Sequence, residues 1–165
     1  MNQIGDYISV HIRRGDKVKT YLKEGNFIPS STYFDSCVSI FEKTGIKNIF
    51  ICSDSDEAIV EFVEHNASNG SLFDIRYDEN ESRHDGYPYK ILTGEINENE
   101  NSKSEMITAF KNIEILTKSS YMVGTPSSWF FRIAQLLRIS PSNVDGNCIN
   151  VEEGKETYLP TFYHC

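Results

Sequence analysis

The length, composition and charge of this chain restrict what it can be. It has 165 residues, of which 39% are hydrophobic and 12% aromatic, enough for one globular domain with a buried core. Its net charge of −8 and pI near 5.0 argue against nucleic acid or an anionic membrane as the general partner, because both select broad basic surfaces. No apolar stretch approaches the roughly 20 residues that span a bilayer, and we predict no signal or anchor within the chain.

The first predicted element is a strand over Tyr7–Ile12, a short run rich in β-branched residues. Arg13 and Arg14 follow it directly, at the end of the strand where open α/β sheets bind ligands. Arginine keeps its charge and offers phosphate a planar fork of donors, so a pair of arginines can face a diphosphate. The alternative is that one arginine pairs with Asp16 and the other is merely solvated.

A helix is predicted after this strand, capped by Ser30 and Ser31 and closed by Gly45. A second strand over Asn48–Cys52 follows. The apolar stripe of the helix consists of Phe34, Cys37, Val38 and Phe41.

The polar residues after the second strand allow two interpretations. Asp54 and Glu57 have the spacing of a capping box and open a helix. Asp54 and Asp56 also match the D-x-D pattern with which many sugar transferases hold a divalent metal, although capping explains these carboxylates equally well. We expect no metal, because two arginines can neutralise a diphosphate by themselves. The apolar stripe of this second helix consists of Ile59, Val60, Phe62 and Val63.

A weaker third strand is predicted over 72–77, followed by a long mobile loop from Asp78 to Ser102 that is rich in Asn, Glu and Gly. Ser102 and Glu105 repeat the capping-box spacing and open a third helix. Its apolar stripe consists of Met106, Ile107, Phe110, Ile113 and Leu116.

A short buried strand over 121–124 and a turn over 125–128 lead into the last predicted helix, before an irregular tail over 140–165. Alternation of strand, loop and helix predicts an α/β fold, a Rossmann-like parallel sheet with helices on both faces, in a single domain over 1–165. The apolar stripe of the last helix consists of Trp129, Ile133, Ala134, Leu136 and Leu137.

The four cysteines show no C-x-x-C spacing and no histidine cluster beside them, so a zinc site is not predicted. Cys37 and Cys52 fall in apolar patterns that are typical of core residues. Cys148 and Cys165 share the tail, and a disulfide between them in an oxidising compartment is a hypothesis.

Three strand ends carry polar residues, and parallel strands bring such ends to one rim of the sheet. They are the segments 11–17, 53–56 and 125–128. The last of these places hydroxyls and N–H groups at a helix start, which favours an anion, although a serine N-cap alone would look the same. Beside the arginine pair, these segments predict a phosphate-binding site.

Four motifs in the same chain order resemble those of the alpha-1,6-fucosyltransferase family, over about Ile8 to Arg138. They are Val-His-Ile-Arg-Arg-Gly-Asp-Lys-Val at 10–18, Glu24-x-x-Phe27-x-Pro29-x-x-x-Tyr33, Ser53-Asp54, and Thr125-Pro126-Ser127-Ser128 with Arg132-Ile133-Ala134. The first motif occurs more widely among fucosyltransferases, so the resemblance points to the donor more firmly than to the linkage. It implies the C-terminal nucleotide-binding domain of a GT-B-like glycosyltransferase.

The resemblance implies a metal-independent, inverting transfer of fucose from GDP-fucose to a glycan or glycoprotein hydroxyl, alpha-1,6 on an N-glycan core, with no cofactor. Glu24 would be the general base, and a partly buried carboxylate suits that role. Arg13 would hold the β-phosphate, and His11 would lie against the guanine. The remaining matched positions are Arg14, Asp16 and Lys17 around the pyrophosphate and acceptor, with Lys17 counted as catalytic, and Tyr33, Asp54, Ser127 and Ser128 in the donor site.

Three positions depart from the family. Asn112 stands where the family has a guanine-reading aspartate, Ser55 replaces the second of two aspartates, and Trp129 replaces a glutamine. An amide carries no charge and accepts only through its oxygen, so we expect a looser hold on guanine.

The resemblance covers only the donor-binding half of the family's catalytic region. We therefore expect that transfer needs the amino-terminal half, and that the protein acts in the Golgi lumen if it is part of a type II membrane protein. The alternative is a non-catalytic module that binds a nucleotide sugar or a glycan.

Overall fold

A six-stranded sheet organises the chain. The structure, a computed structural model, describes residues 5–14, 27–81, 83, 98–138, 147–152 and 155–156, with the backbone alone for 98–105 and 155–156. The order across the sheet is β3-β2-β1-β4-β5-β6, and neighbours are parallel except that β6 runs antiparallel to β5. The strands are β1 (Tyr7–Ile12), β2 (Asn48–Ser53), β3 (Asp74–Arg76), β4 (Tyr121–Gly124), β5 (Cys148–Asn150) and β6 (Lys155–Glu156).

Four helices pack on the two faces of this sheet within the described residues. They are α1 (Ser30–Thr44), α2 (Asp56–Ser68), α3 (Glu98–Lys118) and α4 (Trp129–Arg138). Helices α1 and α2 contact each other, as do α3 and α4. The predicted α/β fold with a parallel sheet and helices on both faces is confirmed.

Alternation along the strands divides the core between the two faces. Ile49 and Ile51 of β2 belong to the cluster under α1 and α2, whereas Cys52 belongs to the cluster under α3 and α4. Successive side chains of a strand point to opposite faces, so both faces of β2 need apolar residues. The same rule places His11 of β1 on the α3–α4 face, where its ring lies beside Phe130 and Phe131.

The strand order creates a switch point between β1 and β4. From β1 the chain winds outward to β2 and β3, and it then crosses to the other side of β1 to form β4. In open α/β sheets, ligands bind outside the carboxyl ends of the strands at such a point. The segments after β1, β2 and β4 therefore share the rim where a ligand is expected.

Three predicted helix starts are wrong. Helix α1 has Pro29 at its N-cap and no side-chain cap, because Ser30 is already helical. Helix α2 is capped by Ser55, whose Oγ accepts from the N–H of Ala58 at 3.4 Å, rather than by a capping box beginning at Asp54. Helix α3 begins at Glu98, four residues before the capping box predicted at Ser102.

The buried faces of α3 and α4 also differ from the prediction. On α3, Met106, Ile107 and Phe110 are exposed, whereas Asn112 and Leu116 are buried. On α4 the exposed side chains are Trp129, Ile133, Leu136 and Leu137, and the buried ones are Phe131, Ala134, Gln135 and Arg138.

The burial of Arg138 has a clear physical reason. Its Nη1 donates to the carbonyl oxygens of Leu116 at 2.9 Å and Ser119 at 2.7 Å, so it satisfies acceptors at the carboxyl end of α3. A cation is also favoured there by the helix dipole. Helix α4 is therefore oriented by a polar contact as well as by its apolar residues.

The tail contributes to the sheet, although no strand was predicted in it. Cys148–Asn150 forms β5 beside β4, and Lys155–Glu156 adds the antiparallel edge. Cys148 is buried next to Arg138, and burial raises the pKa of its thiol to about 11. Cys165 lies outside the described residues, so the disulfide between them stays a prediction. Of the helices that the structure describes, none is both long and apolar enough to cross a membrane.

Candidate functional site

Arg13 and Asp54 form an ion pair at the rim, where β1 and β2 end side by side. Nη1 of Arg13 lies 2.6 Å from Oδ2 of Asp54, and the two side chains are 27% and 22% exposed. The other carboxylate oxygen, Oδ1, accepts from the backbone N–H of Arg14 at 2.9 Å. Asp54 therefore holds the Arg13 guanidinium in position at the rim, where the arginine side chain is partly exposed to solvent.

Arg14 points away from this rim and is buried, with 3% exposure. Its Nη1 lies 2.7 Å from Oε2 of Glu61, its Nη2 donates to Oγ of Ser30 at 3.0 Å, and its Cζ lies 4.4 Å from the centre of the Phe27 ring. Hydrogen bonding to Arg14 lowers the pKa of the Glu61 carboxyl. These contacts anchor α1 to α2, and a role for Arg14 in donor binding stays a prediction.

His11 forms a flat wall on the α3–α4 side of the rim. Its ring is stacked on Phe130 with centroids 5.4 Å apart and planes at 22°. Burial, reinforced by the charge of Arg13, lowers the pKa of His11 to about 3, so the imidazole is neutral at physiological pH. Its buried Nδ1 has no hydrogen-bond partner among the described residues.

A pocket of about 180 Å³ opens between these groups. This is smaller than the roughly 300–1,000 Å³ of a site for a drug-sized ligand, so the pocket suits one flat part of a nucleotide rather than the whole. It is lined by His11, Arg13, Cys52, Ser53, Asp54, Glu81, Thr108, Ala109, Asn112 and Phe130.

Asn112 reaches this pocket from α3 and is 6% exposed. Its Nδ2 donates to Oε1 of Glu81 at 2.8 Å, while its Oδ1 is buried without a partner in the described part of the chain. Burial raises the pKa of Glu81, and hydrogen bonding to Asn112 acts in the opposite direction. Glu81 and Asn112 both line the pocket, so a carboxyl group and an amide stand side by side in its wall.

Arg83 holds the segment that carries Glu81 against the sheet. Its Nε donates to the carbonyl of Ser53 at 3.2 Å and its Nη2 to that of Asp78 at 2.7 Å, and Nη1 pairs with Asp56 at 3.1 Å. Lys111 of α3 also pairs with Asp78. The beginning of the predicted loop is therefore fixed to β2, α2 and α3.

The two carboxylates of the D-x-D pattern pair with different arginines. Asp54 pairs with Arg13, and Asp56 pairs with Arg83. No group of three or more side chains suited to hold a metal ion occurs in the portion of the chain that is described.

The turn before α4 lies at the end of β4. Ser128 is buried directly before the helix, and the N–H of Ser127 donates to Oε2 of Glu152 at 3.2 Å. A carboxylate of the chain thus occupies one donor at this helix start, the kind of position that favours an anion. Tyr33 is fully buried with a hydrogen bond to Thr125, and burial raises the pKa of its hydroxyl.

The structure brings together His11, Arg13, Asp54 and Asn112, four of the residues predicted for the site. Asp16, Lys17 and Glu24 lie outside the described residues, so the general base and the acceptor side stay predictions. The donor-site roles of Tyr33, Ser127 and Ser128 also stay predictions.

No protein-family model and no curated protein matches this chain. Several solved structures match part of it. POFUT1 in complex with GDP is 14% identical, with a TM-score of 0.49, over 81% of this chain and 39% of that one. NodZ alpha-1,6-fucosyltransferase co-crystallised with GDP is 17% identical, with a TM-score of 0.41, over 80% and 35%. The chain thus spans less than two thirds of the length of these structures, and the similarity is one of partial fold at low identity.

Sequence reasoning missed Glu81 and Arg83. Both fall in the segment predicted to be a loop, where charged residues are ordinarily solvated, and neither belongs to a recognisable motif. The one signal is Asn112, an amide at a position where the resemblance implies a carboxylate.

Proposed function

We propose that this chain is the donor-binding part of a fucosyltransferase-like glycosyltransferase that uses GDP-fucose without a metal. The observation that carries the proposal is the partly exposed Arg13, which lines a flat-walled pocket at the switch point of a parallel sheet. The flat aromatic wall suits a heterocyclic base, and the cation beside it suits the diphosphate that follows the base. The motifs shared with the alpha-1,6-fucosyltransferase family supply the identity of the sugar and the base.

In this proposal Arg13 neutralises the charge that develops on the leaving diphosphate, the work for which other transferases use a metal ion. The acceptor hydroxyl oxygen bonds to the anomeric carbon, the bond from that carbon to the phosphate oxygen breaks, and GDP departs. Glu24 takes the hydroxyl proton. Lys17 would stabilise the leaving pyrophosphate, Asp16 would help to organise the pyrophosphate and acceptor side, and Ser127 and Ser128 would lie near the diphosphate.

The acceptor side follows from the resemblance. We propose a hydroxyl of an N-glycan core as acceptor, alpha-1,6 as the linkage, a second half of the catalytic region as a requirement for transfer, and the Golgi lumen as the compartment.

Calorimetry with GDP in EDTA tests donor binding. We expect binding by the native chain and its loss in Arg13→Ala, because the phosphate loses its principal cation. Arg76→Ala, which removes an exposed arginine of β3, is the matched control and should bind GDP normally. Failure to bind GDP at millimolar concentration, or binding that requires Mn²⁺, would contradict the proposal.

A non-catalytic binding module is the second candidate. The uncharged Asn112 in the pocket favours it. Transfer from GDP-fucose, measured with an amino-terminal half supplied, distinguishes the two. Loss of transfer in Glu24→Gln with GDP binding intact supports the enzyme, whereas GDP binding with no transfer by the native protein supports the module.

A further inference from the structure

We propose that Glu81, together with Asn112, selects the base of the bound nucleotide by accepting hydrogen bonds from two adjacent N–H donors on one edge of a purine. The inference deepens the proposed function and rests on it. Guanine has such an edge in its N1–H and N2 amino groups, hypoxanthine lacks the amino group, and adenine presents an acceptor at N1. The pocket would thus discriminate among purines through a residue that no sequence motif contains.

The first observation is that the position of Glu81 determines which way the Asn112 amide faces. Nδ2 of Asn112 donates to Oε1 of Glu81 at 2.8 Å, so the amide oxygen must take the other orientation. That oxygen, Oδ1, is buried and has no partner among the described residues, and Asn112 is one of the residues that line the pocket. A buried acceptor without a donor is unfavourable, and a ligand N–H in the pocket would satisfy it.

The second observation is that Glu81 is held in place with acceptor capacity to spare. Its side chain is 8% exposed, and Oε2 lies 3.4 Å from Nη2 of Arg83. Arg83 is itself tied to the carbonyl oxygens of Ser53 and Asp78. A carboxylate offers about four lone-pair sites, of which Asn112 and Arg83 use two. Glu81 can therefore accept from a ligand without giving up the contacts that position it.

The third observation is the shape of the space beside this pair. The stacked rings of His11 and Phe130 provide a flat apolar wall, and the volume of about 180 Å³ suits one base. His11 is neutral and adds no positive charge that would compete for the carboxylate. Arg13 lines the same pocket at the rim, on the side where a diphosphate would follow the base. A nucleoside diphosphate would match these groups. Its base would contact the flat wall, Glu81 and Asn112, and its diphosphate would contact Arg13.

The test compares the affinities of GDP, inosine diphosphate and ADP by calorimetry in EDTA. For the native chain we expect GDP to bind roughly tenfold more tightly than inosine diphosphate and up to about a hundredfold more tightly than ADP, since a hydrogen bond to a charged group changes affinity by about these factors. In Glu81→Gln the preference for GDP over ADP should fall at least about fivefold, while the affinity for ADP changes by less than about twofold. Glu79→Gln, an exposed glutamate of the same segment, is the control and should keep the native preference.

Three results would overturn the proposal. They are equal binding of the three diphosphates by the native chain, an unchanged preference in Glu81→Gln, and an equal loss of affinity for all three nucleotides in that variant. If Glu81→Gln does not fold, the comparison is made with Asn112→Ala, which removes the orphaned oxygen and should lower the preference for GDP over inosine diphosphate. Failure of the native chain to bind any of the nucleotides would refute the proposed function itself, whereas unselective binding that Arg13→Ala abolishes would refute only the role of Glu81.

Discussion

Two adjacent arginines have opposite environments because successive residues leaving a strand point in opposite directions. Arg13 stays at the rim with Asp54, whereas Arg14 is buried between α1 and α2 with Glu61 and Ser30. A buried guanidinium is tolerated only when its donors are satisfied, which is the case for its terminal nitrogens. At the scale of single residues, one arginine of the pair is partly exposed at the rim and the other is buried in the fold.

The contrast predicts different effects on stability. Arg14→Ala should lower the free energy of unfolding by about 2–3 kcal/mol, because it removes buried hydrogen bonds and leaves a cavity. Arg13→Ala should lower it by less than about 1 kcal/mol, because its ion pair is partly exposed. Urea unfolding followed by circular dichroism measures both values. Equal losses in the two variants would contradict the assignment of separate roles.

His11 should make the stability depend on pH. Its pKa is about 3 in the folded protein and near 6.5 when unfolded, so the unfolded chain binds the proton first as the pH falls. Stability from this group is complete above about pH 6.5 and decreases progressively toward pH 3. Between about pH 7 and pH 5 the native chain should lose about 2 kcal/mol more than His11→Phe does. Identical pH profiles of urea unfolding for the two proteins would show that His11 has the same pKa in the folded and unfolded chain, which would contradict the prediction.

At the scale of elements, β4 and α4 approach closely because Gly124 has no side chain. A Cβ at that position would overlap Cδ2 and Cε2 of Phe131, whose ring is completely buried. The ring is part of the core between the sheet and α3 and α4, so it has little room to move. The close contact positions the turn over 125–128 at the rim.

Gly124→Ala should therefore lower the free energy of unfolding by about 1–3 kcal/mol, the usual effect of overpacking a core. Gly5→Ala, at a position where a Cβ meets nothing within 4 Å, is the matched control and should change stability by less than about 0.5 kcal/mol. Thermal unfolding of both variants measures the difference. A neutral effect of Gly124→Ala would mean that α4 can shift away from the sheet.

At the scale of the whole molecule, the pocket joins segments that are far apart in the chain. Its lining comes from the ends of β1 and β2, the segment after β3, and helices α3 and α4. A ligand bound there contacts elements that come before and after the crossover of the chain from β3 to β4. Its binding energy should therefore stabilise the complete fold rather than one element.

If the proposed function holds, GDP in EDTA should raise the melting temperature of the chain. At a concentration about 100 times Kd the added stability is about 2.7 kcal/mol, which corresponds to several degrees for a domain of this size. Differential scanning calorimetry measures the shift, with Arg13→Ala as a variant that should show none. A melting temperature independent of GDP would contradict the prediction.

The sequence by itself determined the strands β1, β2 and β4 and the rim that they share, because buried β-branched runs alternating with helices admit few other folds. It also indicated His11, Arg13 and Asp54, since they lie in the last two positions of such strands or directly after them. Only the tertiary structure decided that Ser55 rather than Asp54 caps α2, because Asp54 is instead bound by Arg13 and by the backbone of Arg14.

The tertiary structure also decided which faces of α3 and α4 are buried. It alone placed Glu81 in the lining of the pocket. Periodicity defines the two sides of a helix, but contacts such as those of Arg138 with the end of α3 select the side that meets the sheet. Glu81 meets Asn112 across 31 residues of chain, in a segment without periodicity. Such a contact depends on how the fold brings two distant segments of the chain together. No local pattern in the sequence predicts it.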